Sequence, residues 1–237
     1  MSEGGFRNWF VLGLFICLGL SVLGYTLGSS AIRFKEYERT VTVKGLSERE
    51  APADVAIWPI QFTRASNDLA LLYTQLEADT GEIRAFLKEA GFGEGEVTAS
   101  APAITDKLAQ SYQANVPFRY GAVQTITVYT EKVDAVRKAA NRLAELGKKG
   151  IAFSGEGYEN KTEYIYTKLN DIKPAMIEEA TQSAREVAVK FAQDSDSRLG
   201  KIKRANQGQF SIEDRDKNTP YVKKIRVVST VEYYLSD

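Results

Sequence analysis

Trp9 to Leu27 reads WFVLGLFICLGLSVLGYTL and holds no charged residue. At about 1.5 Å of rise per residue, a helix of this length nearly spans a hydrocarbon core of about 30 Å. No second stretch of this kind occurs in the chain. The pattern predicts one membrane helix carrying one water-soluble body. Trp9, Phe10, Leu14, Phe15, Leu18, Leu20, Leu23 and Leu27 are the side chains expected to meet lipid. Secretory signals usually have a shorter apolar stretch of about 7–15 residues. Residues 1–28 are therefore expected to remain as an uncleaved signal-anchor, although Ser29-Ser30-Ala31 has the small residues of a weak cleavage site. Ile16 precedes Cys17 where lipoprotein processing favours Gly or Ala.

Charge leaves the orientation open. Arg7 and Glu3 precede the helix, while Arg33, Lys35 and Arg39 come after it, mixed with Glu36 and Glu38 in a linker over 29–39. A count of Lys and Arg alone would keep the body inside. A hydrophobic segment this close to the N-terminus behaves instead as a signal-anchor that exports the body behind it.

The remaining residues, 40–237, suffice for a real core. Basic and acidic residues balance at 31 each, so there is no net basic footprint for nucleic acid. Cys17 is the single cysteine, and it lies in the apolar run. The body is therefore without disulfides or thiolate metal sites, which suits an oxidising compartment. Histidine is absent altogether. That removes Ser-His-Asp and Cys-His nucleophile systems, imidazole acid–base work and His-based metal sites. Any chemistry would fall to carboxylates, Lys, Tyr or an oxygen-ligated ion. The expectation is a non-enzymatic chain with no catalytic, cofactor-binding or metal-binding residues.

Hydrophobic spacing lays out the body. Thr40–Lys44 alternates as a strand ended by Gly45, and 54–64 as a second in which Pro59 marks an edge or a bulge. Ser66-Asn67-Asp68 offers caps to a helix whose stripe is Leu69, Leu72, Tyr73, Leu76, Ile83, Phe86 and Leu87, closed by Gly91 and Gly93. Val97–Ile104 and Phe118–Thr130 read as strands joined by a polar connection. A second helix spans about 132–146 with a Gly147 stop, and a hairpin is predicted between 151–158 and 164–169. The third helix begins after Pro174 and buries Ile177, Ala180, Ala184, Val187, Ala188 and Phe191. Strands over 201–210 and 223–235 complete the chain. The order predicts an α+β fold: antiparallel sheets with three packed helices in ββα-type repeats, preceded by one N-terminal transmembrane helix. The first and last strands are placed to pair.

The short motifs favour ordinary structure. Gly155-Glu156-Gly157 lacks the third glycine of a dinucleotide loop. Asp194-Ser195-Asp196 and Asp214-Arg215-Asp216 resemble the start of a calcium loop but lack its Gly at the sixth place and Glu at the twelfth. Lys201-Lys203-Arg204 and Lys223-Lys224-Arg226 fall on strands as solvated or edge-protecting charge. Tyr is favoured at interfaces. Residues 106–118, with Leu108, Tyr112, Val116 and Phe118, read either as an arm to a neighbouring subunit or as a floppy loop, and Tyr233 and Tyr234 are candidates for a second contact.

VTVKGLSEREAPADVAIWPIQF at 41–62 resembles the opening of the SIMPL-domain family, the YggE-like bacterial envelope proteins. YGAVQTITVYTEKVDAV at 120–136, AREVAVKFAQDSDSRLGKIK at 184–203 and RVVSTVEYYL at 226–235 resemble its later blocks. Asp194-Ser195-Asp196-Ser197 departs toward polar residues, and Lys223-Lys224 stands where a Pro-Gly turn is the family habit. The resemblance implies an α+β body in the periplasm behind an inner-membrane anchor, with the N-terminus inside. It also implies large ring-like homo-oligomers in some members and a loose link to oxidative-stress defence. It brings no catalytic residues. The function expected is a ring-forming, membrane-anchored assembly module whose partners are copies of itself and inner-membrane lipid, with no nucleic acid. The alternative is a carrier of a small apolar ligand, held by Trp58, Phe62 and nearby Tyr.

Overall fold

The computed structural model describes residues 3–36, 39–109, 117–154 and 160–236. In chain order come α1 (Glu3–Glu36), β1 (Thr40–Pro52), β2 (Val55–Ser66), α2 (Leu69–Glu89), β3 (Val97–Ala99), β4 (Ala103–Asp106) and β5 (Tyr120–Thr130). Next are α3 (Val133–Arg142), α4 (Ala144–Lys148), β6 (Ala152–Phe153), β7 (Glu163–Ile165), α5 (Leu169–Asp194), β8 (Arg198–Gln207), β9 (Ser211–Asp214) and β10 (Val222–Ser236). The chain divides into two compact units. A terminal unit comprises Met1–Glu48, Lys173–Phe210 and Arg226–Asp237; a central unit comprises Arg49–Ile172 and Ser211–Ile225.

The central unit is built on a sheet of order β3-β5-β2-β6, with β4 also on β5 and β7 also on β2. Period-two alternation sends Ala56, Trp58, Ile60 and Phe62 of β2 to one face, joined by Ala122, Ile126 and Val128 of β5. The three-and-four spacing of α2 delivers Leu72, Leu76, Ile83, Phe86 and Leu87 to that face, and Val136, Ala139 and Leu146 come from α3 and α4. Burying each such large side chain is worth about 1.5–3 kcal/mol. Asp68 caps α2, accepting from the N–H of Ala70 at 2.8 Å and of Leu71 at 3.1 Å. Leu69 and Tyr73, assigned to the stripe from spacing, are exposed. Arg64 continues the inward phase of β2 and donates from two guanidinium nitrogens to Asp79 of α2. Asp79 is only 5% exposed, so the pair supplies a partner for a charge that burial would otherwise penalise.

Several boundaries differ from expectation. Pro59 lies on an interior strand: β2 and β5 pair without a shift from Ala56–Thr130 to Ser66–Tyr120, through Pro59–Thr127. On the other side, among the described residues, β6 pairs with β2 at Phe62 and Thr63 and β7 pairs with it from Val55 to Ile57. Among the described residues β6 and β7 each pair with β2 in place of the expected 151–169 hairpin. Phe153 faces Phe62 and Glu163 faces Ile57. Gly155 to Glu159 lie outside the described residues. The strand over 97–104 splits into β3 and β4, both on β5, and Ser100, Ala101 and Pro102 make the break. The second helix breaks at Leu143, and Gly150 at φ +88° ends its second piece in place of Gly147.

In the terminal unit β10 lies between β1 and β8. The first and last strands do pair: the Leu235 N–H donates to the Arg39 carbonyl at 2.9 Å. Gly45 does not end β1, which runs on to Pro52. The glycine is needed there for contact, since a Cβ would overlap the Ala180 carbonyl oxygen and the Ala184 nitrogen. The buried stripe of α5 is Met176, Ala180, Ala184, Ala188 and Ala192, one residue per turn. Small side chains at this spacing let the helix backbone lie directly on the strand. Val43, Val231 and Tyr233 pack against Ala184 and Ala188. Phe191 points away and is 55% exposed, and Pro174 falls in the second turn of α5, not the first.

Candidate functional site

Within α1, Trp9–Ser30 forms one continuous apolar stretch with none of it buried. Its 22 residues rise about 33 Å, enough to cross a hydrocarbon core. Such a helix serves as a single membrane span or a signal sequence. Trp9, Phe10, Leu14, Phe15, Leu18, Leu20, Leu23 and Leu27 are all exposed. Three of its hydroxyls are satisfied by the helix's own carbonyls. Ser21 donates to the Cys17 carbonyl at 2.8 Å, Thr26 to Val22 at 3.0 Å, and Ser29 to Thr26 at 3.0 Å. That is the pattern lipid requires.

A second feature is β8. It is bonded to β10 on one side and has no second strand neighbour among the described residues. Nine of its ten residues are exposed. Ile202 is 49% exposed and lines an open groove of about 620 Å³ with Gln182 and Arg185 of α5. Gly200 lets β8 approach β10 closely, since a Cβ there would stand 3.0 Å from the Tyr234 carbonyl oxygen. Lys203 donates to Glu232 at 3.1 Å, and Thr40 donates to the same carboxylate oxygen at 2.9 Å. Lys203 first, and then Thr40, hold the Glu232 carboxyl below its ordinary value. Lys203 thus pairs across the strands with Glu232, and Lys201 and Arg204 also lie on the strand's surface.

The proposed contact residues separate. Tyr112 and Val116 lie outside the described residues. Phe118 is exposed. Tyr234 is half-buried with the Lys203 ammonium 5.8 Å from its ring centre. Tyr233 is a core residue, 3% exposed and packed with Val43 and Val231, so it offers no contact surface. Trp58 and Phe62 are likewise consumed by the central core at 5% and 0% exposure. That leaves neither ring a face for an apolar ligand.

The aspartate-rich turns are occupied locally. Asp216 accepts from the N–H groups of Asn218 and Thr219, both at 2.8 Å, and from the Thr219 hydroxyl. Asp214 takes the ammonium of Lys223, which is itself buried. Among the described residues no three Asp, Glu or Cys side chains gather as a metal-binding group.

Fold and surface define the class: a two-sheet antiparallel α+β body behind one apolar helix long enough to cross a membrane. The family model for SIMPL, described as a protein of unknown function (DUF541), matches residues 41–232. The chain belongs to the SIMPL family. No curated protein matches it.

Proposed function

We propose that this chain is a non-enzymatic assembly module anchored by α1 in the bacterial inner membrane. Its body stands in the periplasm and builds a large ring-like homo-oligomer through β8. The observation that carries this reading is the exposure of β8. Fixing the backbone of each residue costs about 1–2 kcal/mol. A strand exposed on both faces buries almost nothing to offset that cost, and its outer edge presents unpaired N–H and C=O groups. A second copy laid along β8 satisfies that edge and covers Ile202. Closure around a rotation axis then leaves no edge free. Lys203 is turned to Glu232, which leaves Lys201 and Arg204 among the cations on this strand's surface.

Membrane tethering supports the same reading. Side-by-side anchors raise the effective concentration of neighbouring bodies. Gly13, Gly24 and Gly28 leave open space on α1, and small residues of this kind allow close helix–helix approach in lipid. The absence of His from the chain and of Cys from its body supports a non-enzymatic role. The periplasmic placement and the link to oxidative-stress defence draw on the family resemblance.

Light scattering of the detergent-extracted chain tests the assembly. A large, uniform oligomer is expected at micromolar concentration, and a monomer rejects the proposal. Ile202→Asp should break the assembly while leaving the melting temperature within about 2 °C, as exposed positions usually do.

A further inference from the structure

The central unit holds a cleft of about 610 Å³ that the assembly reading leaves unused. Its volume falls within the range of about 300–1,000 Å³ typical of small-molecule sites. One wall is the polar face of α3, where Asp134, Arg137, Lys138 and Asn141 recur at helical spacing. The opposite wall is the turn between β9 and β10, which brings Lys217, Asn218 and Tyr221, and the segment leading into β7 adds Lys161, Thr162 and Tyr164.

The charge in this cleft is one-sided in a chain whose total is zero. Four cations, Arg137, Lys138, Lys161 and Lys217, line it against the single carboxylate of Asp134. Asp134 is taken by Arg137 at 3.0 Å. Lys161 stands a loose 3.9 Å from Asp214, which binds Lys223 more closely. Lys138 and Lys217 make no ion pair among the described residues. Cations gathered around a concavity concentrate anions there, because the low-dielectric walls focus their field.

The cleft is also preshaped and has an aromatic wall. The Arg137 guanidinium lies 3.6 Å from the centre of the Tyr221 ring, and Tyr164 meets Tyr221 edge-on at 6.1 Å and 75°. The Asp216 bonds within the turn fix Asn218, and the Ala53 N–H holds the Tyr221 carbonyl at 2.8 Å. Tyrosine rings, two amides and a hydroxyl around a roomy space match a hydroxylated ring. Surplus lysines match an acidic group on that ring. A bare ion would leave most of the space and the aromatic wall unused.

We infer that this cleft binds an anionic saccharide, with its phosphate or carboxylate among Lys138, Lys161 and Lys217 and its hydroxyls toward Asn141, Asn218, Thr162 and the rims of the two tyrosine rings. The inference uses central-unit residues only and stands apart from assembly through β8.

Isothermal titration of the detergent-extracted full chain tests it, with glucose 6-phosphate, glucuronate, glucose and inorganic phosphate as probes. At least one of the two acidic sugars should bind tenfold or more tighter than either glucose or inorganic phosphate. Which of the two binds tells phosphate from carboxylate recognition. The double variant Lys138→Met, Lys217→Met should weaken that binding tenfold or more with an unchanged melting temperature. Silence from both acidic sugars at millimolar concentration overturns the inference. So does inorganic phosphate binding as tightly as the acidic sugars, or a double variant with wild-type affinity.

Discussion

Replacing Gly45 with alanine probes how α5 lies on β1. Local preference favours the change, since glycine inside a strand is about 0.5–1 kcal/mol worse than alanine. Packing opposes it. The new Cβ would overlap the Ala180 carbonyl oxygen and the Ala184 nitrogen, and would stand 2.9 Å from the Ala184 Cα. All three atoms are helix backbone, so no rotamer change relieves the clash. Carbon contacts are comfortable at about 3.5–4.0 Å, and α5 must retreat by roughly 1 Å or more to restore them. That retreat loosens Ala184 and Ala188 from Val43, Val231 and Tyr233. Overpacking costs about 1–3 kcal/mol, and a backbone obstacle belongs at the upper end. Less the local gain, about 2 kcal/mol of net destabilisation remains. In a chain of this size that lowers the melting temperature by about 4–8 °C. Far-UV circular dichroism of the detergent-extracted chain measures it. Gly81, exposed in the middle of α2 with nothing within 4 Å of an added Cβ, is the control. Gly81→Ala should stabilise by about 1 kcal/mol. A Gly45→Ala protein melting at or above the wild type would refute the packing argument.

Buried and bonded charge gives two more expected outcomes. Arg64→Met should destabilise the body by about 3 kcal/mol, because Asp79 is left buried without its partner. Adding Asp79→Leu should recover most of that loss in urea unfolding, and a double variant no better than the single one contradicts the account. Glu96 is held down to about 2, from an ordinary value near 4.5, by the Thr130 hydroxyl first, then the Gly93 N–H and Lys132. A carboxyl with a depressed folded-state value adds stability that is complete above its unfolded value and lost as pH falls toward the folded one. Urea midpoints should therefore decline between about pH 5 and pH 2. Glu96→Gln should flatten that decline, and an unchanged slope would count against the carboxylate's role.

Much of the central unit was legible because its signals are local. The alternation of β2 at Ala56, Trp58, Ile60 and Phe62, and the recurrence of Leu72, Leu76, Ile83 and Phe86 in α2, fix which faces turn inward. Asp68 caps α2 through neighbours two and three residues away. Pro59 suggests an edge, yet β2 lies between β5 and a neighbour about a hundred residues later that no local signal announces. The pairing of β6 and β7 with β2 is equally hidden, since local turn signals favour a hairpin between them. In α5, Phe191 and Ala192 sit side by side in sequence, and only the close approach at Gly45 selects the alanine face. Tyr233 looked like a contact residue because an aromatic on a terminal strand carries no mark of which face it takes. The basic cleft had one faint local trace, the polar face of α3, while its other walls come from segments far along the chain.

By itself the sequence determined the apolar N-terminal helix, the α+β character, the inward faces of β2 and α2, and a body with no thiol or imidazole to offer. These are matters of composition and of periods of two and 3.6, which a chain carries whatever it touches. Tertiary structure alone decided the sheet orders, the contact of Gly45 with α5 that buries Ala192 in place of Phe191, the bare edge of β8 and the gathering of four cations around two tyrosines. Each of those depends on which distant backbone comes within a few ångströms, and closeness in space leaves no periodic imprint along a chain.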